Sequence, residues 1–152
     1  MKKTSSYLRN DLYNQVKKSG LIKEQEDTMS VSNEIKEIIS MLFHSRTQIH
    51  VFHLQTESYS EHKALQGYYE GIDALIDGIV ESYQGKYGII TSYTTIKLDD
   101  YSGNDQIKNY LEKVNSVIEK NRTNIKESFI QNQIDTVQEL IFSTLYKLKF
   151  LK

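Results

Sequence analysis

An all-α fold, four helices with a long connection between the second and third, is what this sequence predicts on three observations. Its 152 residues include no proline and only 7 glycines, a composition that helix interiors tolerate but turn-rich all-β folds rarely have. Apolar residues recur at helical spacing in four separate stretches. Between the second and third lies KYGIITSYTTIKLDDY, residues 86–101, rich in β-branched and aromatic side chains. A connection of that length tends to join helices that are not antiparallel neighbours, so it is expected to be a crossover, extended or holding a short helix.

The elements follow in order. Leu8, Leu12 and Val16 fall at i, i+4, i+8 before Gly20, which predicts a short amphipathic helix over residues 5–19. Leu21 to Ser32 is polar and reads as a linker, so residues 1–31 form an N-terminal arm and residues 32–152 the bundle. The first long helix is expected after Ser32, an N-cap type of residue. Its stripe is Ile35, Ile38, Ile39, Leu42, Phe43 and Ile49, and it runs to about Gln55. Ser58-Tyr-Ser-Glu61 has the form of a capping box. The stripe that follows is Leu65, Tyr68, Tyr69, Ile72, Ile76, Ile79 and Tyr83, with Gly85 as the expected terminator. Ser102-Gly-Asn-Asp105 opens a third helix whose stripe is Ile107, Leu111, Val114, Ile118 and Ile125. A break is expected near Ser128–Asn132, before a fourth stripe of Ile134, Val137, Ile141, Leu145 and Leu148.

Composition bounds the function. With no cysteine there is no disulfide framework, thiol nucleophile or zinc ribbon, as in a reducing compartment. Apolar runs fall far short of the ~20 residues that span a bilayer, and the basic start lacks the apolar core of a signal peptide. The expectation is a cytoplasmic protein. Residues 1–23 carry Lys2, Lys3, Arg9, Lys17, Lys18 and Lys23 against Asp11, which is +5, so the remainder carries -6 of the net -1. A basic arm on an acidic body suits either phosphate contact with DNA, through Lys2, Lys3, Arg9, Lys17 and Lys18, or a plain solvated tail.

All four histidines fall within HSRTQIHVFHLQTESYSEH, residues 44–62. Placed 100° apart per residue, Arg46, His50 and His53 border the apolar stripe of the first helix, while His44 points to the opposite side. His50 and His53, at i and i+3, share one helix face, and an inward imidazole needs a hydrogen bond or a metal. On the second helix, His62, Gln66, Asp73, Asp77 and Glu81, with Glu70 among them, make a polar stripe. Asp73, Asp77 and Glu81 stack at helical turns with no Lys or Arg one turn away on that stripe, so they repel one another unless a cation intervenes. The stripe reads either as a solvated face or as half of a metal site. Imidazole with carboxylate suits iron, manganese or zinc.

These residues resemble the ferritin-like proteins of the Dps type (DNA protection during starvation). The likeness rests on His50-Val-Phe-His53-Leu, on His62, and on Asp77-Gly-Ile-Val-Glu81, fifteen and nineteen residues beyond His62. DGIVESYQGKYG and the closing IDTVQELIFSTLYKLKFL are similar to the corresponding stretches of that family. The likeness spans roughly residues 33–151, and the wording of the second helix is similar to phage-encoded relatives. It implies a ferritin-like four-helix bundle that assembles as a two-fold dimer and a hollow dodecamer. It also implies a ferroxidase and iron store whose metal ligands, His50 or His53 with His62, face Asp77 and Glu81 of a second subunit. No catalytic residue beyond these ligands is implied. An intrasubunit di-iron centre is not expected, because the third and fourth helices have no histidine and Glu112, Glu119 and Glu139 lie off their stripes.

The chain also departs from the family pattern. Leu54-Gln55-Thr56-Glu57-Ser58 stands where the family has Trp-Asn-x-x-Gly. His53 to His62 is nine residues against the usual twelve, and His50 to His62 is twelve, while Gln66 replaces an acidic ligand. Those departures suit an alternative, a phage structural or virion-associated assembly protein that keeps the bundle without oxidising iron.

Overall fold

The structure, a computed structural model, describes residues 23–151, with side chains from residue 33 onward. The arm's expected helix at residues 5–19 and its basic residues from Lys2 to Lys18 lie outside the described residues. Contacts divide the chain into a unit over residues 1–33 and a compact unit over residues 34–152.

Four helices make up the described chain: α1 (Lys23–Gln55), α2 (Tyr59–Tyr87), α3 (Asn104–Arg122) and α4 (Ser128–Phe150). No strand occurs among the described residues. The polar stretch before Ser32, expected to be a linker, is helical from Lys23. It contains no glycine or proline to stop a helix, and its Lys and Glu residues have good helix propensity. α2 likewise runs past Gly85 to Tyr87, and Gly88 (φ 94°) terminates it. Gly85 stays helical, and the positive φ that glycine favours is adopted three residues later. The last break falls before Ser128, not after it. Thr123 to Glu127 form the turn, and Ile125, expected on the third stripe, is instead a buried plug within that turn.

The stripes form the core. Ile35, Ile38, Ile39, Leu42 and Ile49 of α1 are buried, as are Leu65, Tyr68, Ile72, Ile76, Ile79 and Tyr83 of α2. So are the expected residues of α3 and α4. Each large apolar side chain so buried contributes roughly 1.5–3 kcal/mol. Phe43 departs from expectation: it is exposed and packs edge-on against Tyr93 of the connection.

Contacts fix the helix directions. His53 meets His62 while Arg46 meets Asp73, so α1 and α2 are antiparallel. Glu34 accepts from Asn124 while His44 meets Tyr110, so α1 and α3 are antiparallel too. α2 and α3 therefore run the same way, and the chain must travel the length of the bundle to join them. It does so over residues 88–103, which contain no helix. α2 and α4 approach closely where α2 carries glycine: a Cβ on Gly71 would lie 3.5 Å from Leu140, and one on Gly78 3.7 Å from Gln133.

The connection is held by a row of α1 side chains. Thr94 N–H donates to Ser40 Oγ (3.1 Å), and His44 Nε2–H donates to the Lys97 carbonyl (3.2 Å). Gln48 pairs with both backbone groups of Asp99, at 2.7 and 2.8 Å, and Tyr101 N–H donates to Gln55 Oε1 (2.7 Å). Between Ser40 and Gln55 a helix rises ~22 Å. Thr94 to Tyr101 covers a similar ~23 Å only if nearly fully extended.

Candidate metal centre at the first helix junction

α1 ends at Gln55, and α2 begins at Tyr59 after Ser58. Ser58 Oγ accepts from Glu61 N–H (3.4 Å), as the capping pattern predicts. The return half of the box is relayed: Ser58 N–H donates to Thr56 Oγ1, whose hydroxyl donates to Glu61 Oε2 (2.6 Å). Glu61 also accepts from Tyr101 O–H (2.8 Å) and Asn104 Nδ2–H (2.7 Å), which ties the junction to the far end of the connection. Burial pushes the Glu61 carboxyl up, but the bonds from Thr56, Tyr101 and Asn104, helped by Lys108, outweigh it and leave its pKa below the ordinary value.

This short, fixed turn brings His53, in the last turn of α1, against His62, in the opening turns of α2. Their rings stack with centroids 3.7 Å apart. Each donates from Nδ1 to the other's backbone carbonyl, His53 to His62 at 2.9 Å and His62 to His53 at 3.0 Å. The His53 carbonyl lies in the last turn of α1, where acceptors lack intrahelical donors, so His62 satisfies it. A carbonyl can only accept, so both Nδ1 atoms carry the proton and both neutral rings keep an Nε2 lone pair. His50 stacks on Tyr69 (4.3 Å), and Tyr69 meets His53 edge-on (5.0 Å). His53 is buried, and the other three are half-buried.

The remaining candidates lie elsewhere. Asp77 and Glu81 are exposed on α2, and at 1.5 Å per residue they stand ~22 and ~28 Å along the axis from His62. One copy of the chain does not bring them to the histidines. Among the described residues no cluster of three or more His, Cys, Asp or Glu could hold a metal. Asp73 is neutralised from the neighbouring helix by Arg46, 3.2 Å away. Gln66 accepts from Lys63 (2.6 Å) and donates to Glu70 (2.8 Å). His44 bridges the connection and α3: its Nε2 is spent on Lys97, and its Nδ1 accepts from Tyr110 O–H (2.7 Å). Glu112 pairs with Lys149, and Glu119 accepts from Gln138.

Several residues here escaped sequence reasoning. Tyr69 was expected in the core stripe but belongs to the imidazole cluster. Gln48 is fully buried and holds the connection. A signal did exist, since Ser40, His44 and Gln48 form a polar row at i, i+4, i+8 on a helix whose other faces were already assigned.

The chain belongs to a family of unknown function (DUF5856), whose model matches residues 53–148. That span includes His53, His62, Asp77 and Glu81 and begins three residues after His50. No curated protein and no solved structure matches the chain.

Proposed function

We propose that this protein is a Dps-like, ferritin-like iron-binding protein that takes Fe(II) between two copies of the chain. His53 and His62 of one copy, backed by His50 and Tyr69, face Asp77 and Glu81 of the other. The observation that carries the reading is the pair of reciprocal Nδ1–carbonyl bonds between His53 and His62. Metal-ligating histidines are commonly oriented by such a bond from the non-ligating nitrogen, which leaves Nε2 for the ion. The arrangement favours His53 over His50 as the first ligand, since His50 has no such bond among the described residues and stacks on Tyr69. Asp77 and Glu81 are exposed and available to a second copy, and imidazole with carboxylate suits iron, manganese or zinc. The parallel α2 and α3 and the long connection between them fit a ferritin-like bundle, and a dodecameric shell follows from the resemblance.

In this reading Fe(II) is the substrate. Each ion gives up one electron, and peroxide takes a pair of electrons with a pair of protons and leaves as water. The chain's part is to hold neutral imidazoles and ionised carboxylates in place, so loading weakens as acid protonates the histidines.

The test is complementation between copies. Fe(II) followed by peroxide should give ferric absorbance faster with the protein than without it, and His62→Ala or Asp77→Ala alone should abolish the gain. When the two variants are co-expressed, mixed dimers regain one intact site, restoring about a quarter of the parent's sites. A co-expressed sample as inactive as either variant alone would sink the shared site. The alternative, an assembly protein without iron oxidation, draws on Gln66, which is occupied by Lys63 and Glu70 where a carboxylate ligand is expected. It predicts no absorbance gain and no bound metal in the parent.

A further inference from the structure

The connection over residues 95–101 is bonded along one edge only. In an extended segment a residue's N–H and C=O point to the same edge and those of the next residue to the opposite one. The Lys97 carbonyl, both backbone groups of Asp99 and the Tyr101 N–H all face α1, where His44, Gln48 and Gln55 take them. The backbone groups of Ile96 and Leu98 therefore face away from α1, and among the described residues they have no hydrogen-bond partner. Two features keep this edge from being an ordinary loop surface. Ile96 and Leu98, with Phe43 beside them, leave large apolar side chains 39–44% exposed. Lys97 and Asp99, two residues apart, are both exposed and of opposite charge.

We propose that this edge is an interface between two copies of the chain, the two connections pairing as antiparallel strands about a two-fold axis at Leu98. A two-fold contact places the same segment against itself, and charge selects the register. With Leu98 opposite Leu98 of the second copy, Lys97 faces Asp99 of the second copy, and the symmetry makes that pair twice. Shifted by one residue so that Lys97 is central, like charges would meet. In the chosen register the outward N–H and C=O of Leu98 bond across the axis, and Phe43 and Ile96 of both copies flank it. A free strand edge with exposed apolar side chains is a template for this kind of addition. The pairing does not depend on the metal site, because it needs no ion.

Sedimentation of the full chain in chelator tests it. The parent should associate in even-numbered species. Lys97→Asp and Asp99→Lys each turn two opposite-charge cross-strand pairs into like-charge pairs, so each should weaken association by about tenfold. The double exchange K97D/D99K restores the opposite charges and should restore the parent's dissociation constant. Both side chains are exposed, so unchanged helical content and melting of the variants check that the fold is intact. A parent that stays monomeric at about 100 μM overturns the proposal. So do single variants that associate as tightly as the parent, or a double variant no tighter than the singles. Ferric absorbance from the parent is read separately and tests the metal site alone.

Discussion

At the α1–α2 junction two imidazoles stack and bond each other's carbonyls, whereas at the α3–α4 junction a guanidinium is enclosed by acceptors. Arg122 donates from Nε to Gln131 (2.9 Å), from Nη1 to Gln138 and from Nη2 to Asp135 (2.6 Å). Gln131 returns two bonds to the carbonyls of Arg122 and Ile125, and Gln138 donates onward to Asn115 and Glu119. Both clusters close a short turn between antiparallel helices. The difference lies in bonding capacity. Every donor group of Arg122 has an acceptor, so that cluster is structural, but the two histidines each keep an unused Nε2. Polar groups at a helix junction indicate chemistry only when some capacity is left over after the fold is satisfied.

The contrast can be broken most forcefully at Arg122. Arg122→Ala strands Gln138 and Gln131 and removes an ion pair with Asp135, and should cost about 2–3 kcal/mol in denaturant unfolding. Iron binding should be unaffected. His53→Ala loses one bond and one stacked ring, about 1–2 kcal/mol, yet it should abolish iron binding. If Arg122→Ala alone lost binding, the division between the two junctions would be wrong.

Acid compares the same two ends through their carboxylates. At the α3–α4 turn, burial pushes the Glu127 carboxyl up, but bonds from Tyr87 and Lys86 outweigh it and lower its pKa, as Thr56, Tyr101 and Asn104 do for Glu61. A carboxylate with a lowered folded pKa binds protons less readily than in the unfolded chain. Its contribution is complete above the ordinary value of 4.5 and is lost as pH falls through the lower folded value. Glu61→Gln and Glu127→Gln should each flatten the fall in stability below pH 4.5, read from unfolding midpoints across acid buffers. A slope unchanged by both would remove these two groups as its source.

The smallest effect separates two glycines at the end of α2. Gly85 is helical with nothing within 4 Å of an added Cβ, so Gly85→Ala should stabilise by about 0.5–1 kcal/mol. Gly88 has equal space but a φ of 94°, so Gly88→Ala should destabilise. Thermal melts showing the same sign for both would mean that space, not backbone conformation, decides there.

Much of the fold was legible in the sequence. The i, i+4 rows of Ile and Leu are a local consequence of helical pitch, so the core residues of all four helices could be read from spacing. Helix ends were less legible. Gly85 and Gly88 are alike as residues, and only the packing of Tyr87 and Lys86 on Glu127 decides which one ends α2. The site was half legible. His53 and His62 were visible as candidates because they flank one turn, but their mutual carbonyl bonds depend on the angle at which α2 leaves that turn. The acidic stripe misled in part, since Arg46, which neutralises Asp73, comes from another helix.

By itself, then, the sequence determined the helical class, the four buried faces and the gathering of imidazoles at one junction. Each of these depends on residues within a few turns of one another. The tertiary structure alone decided that residues 88–103 lie extended along α1, that Gln48 reads the Asp99 backbone, and that Asp77 and Glu81 stand apart from the histidines of their own chain. Those outcomes join positions up to 54 residues apart, as Ser40 and Thr94 are. Pairings of that kind are set by which faces meet when the helices pack, which no local periodicity encodes.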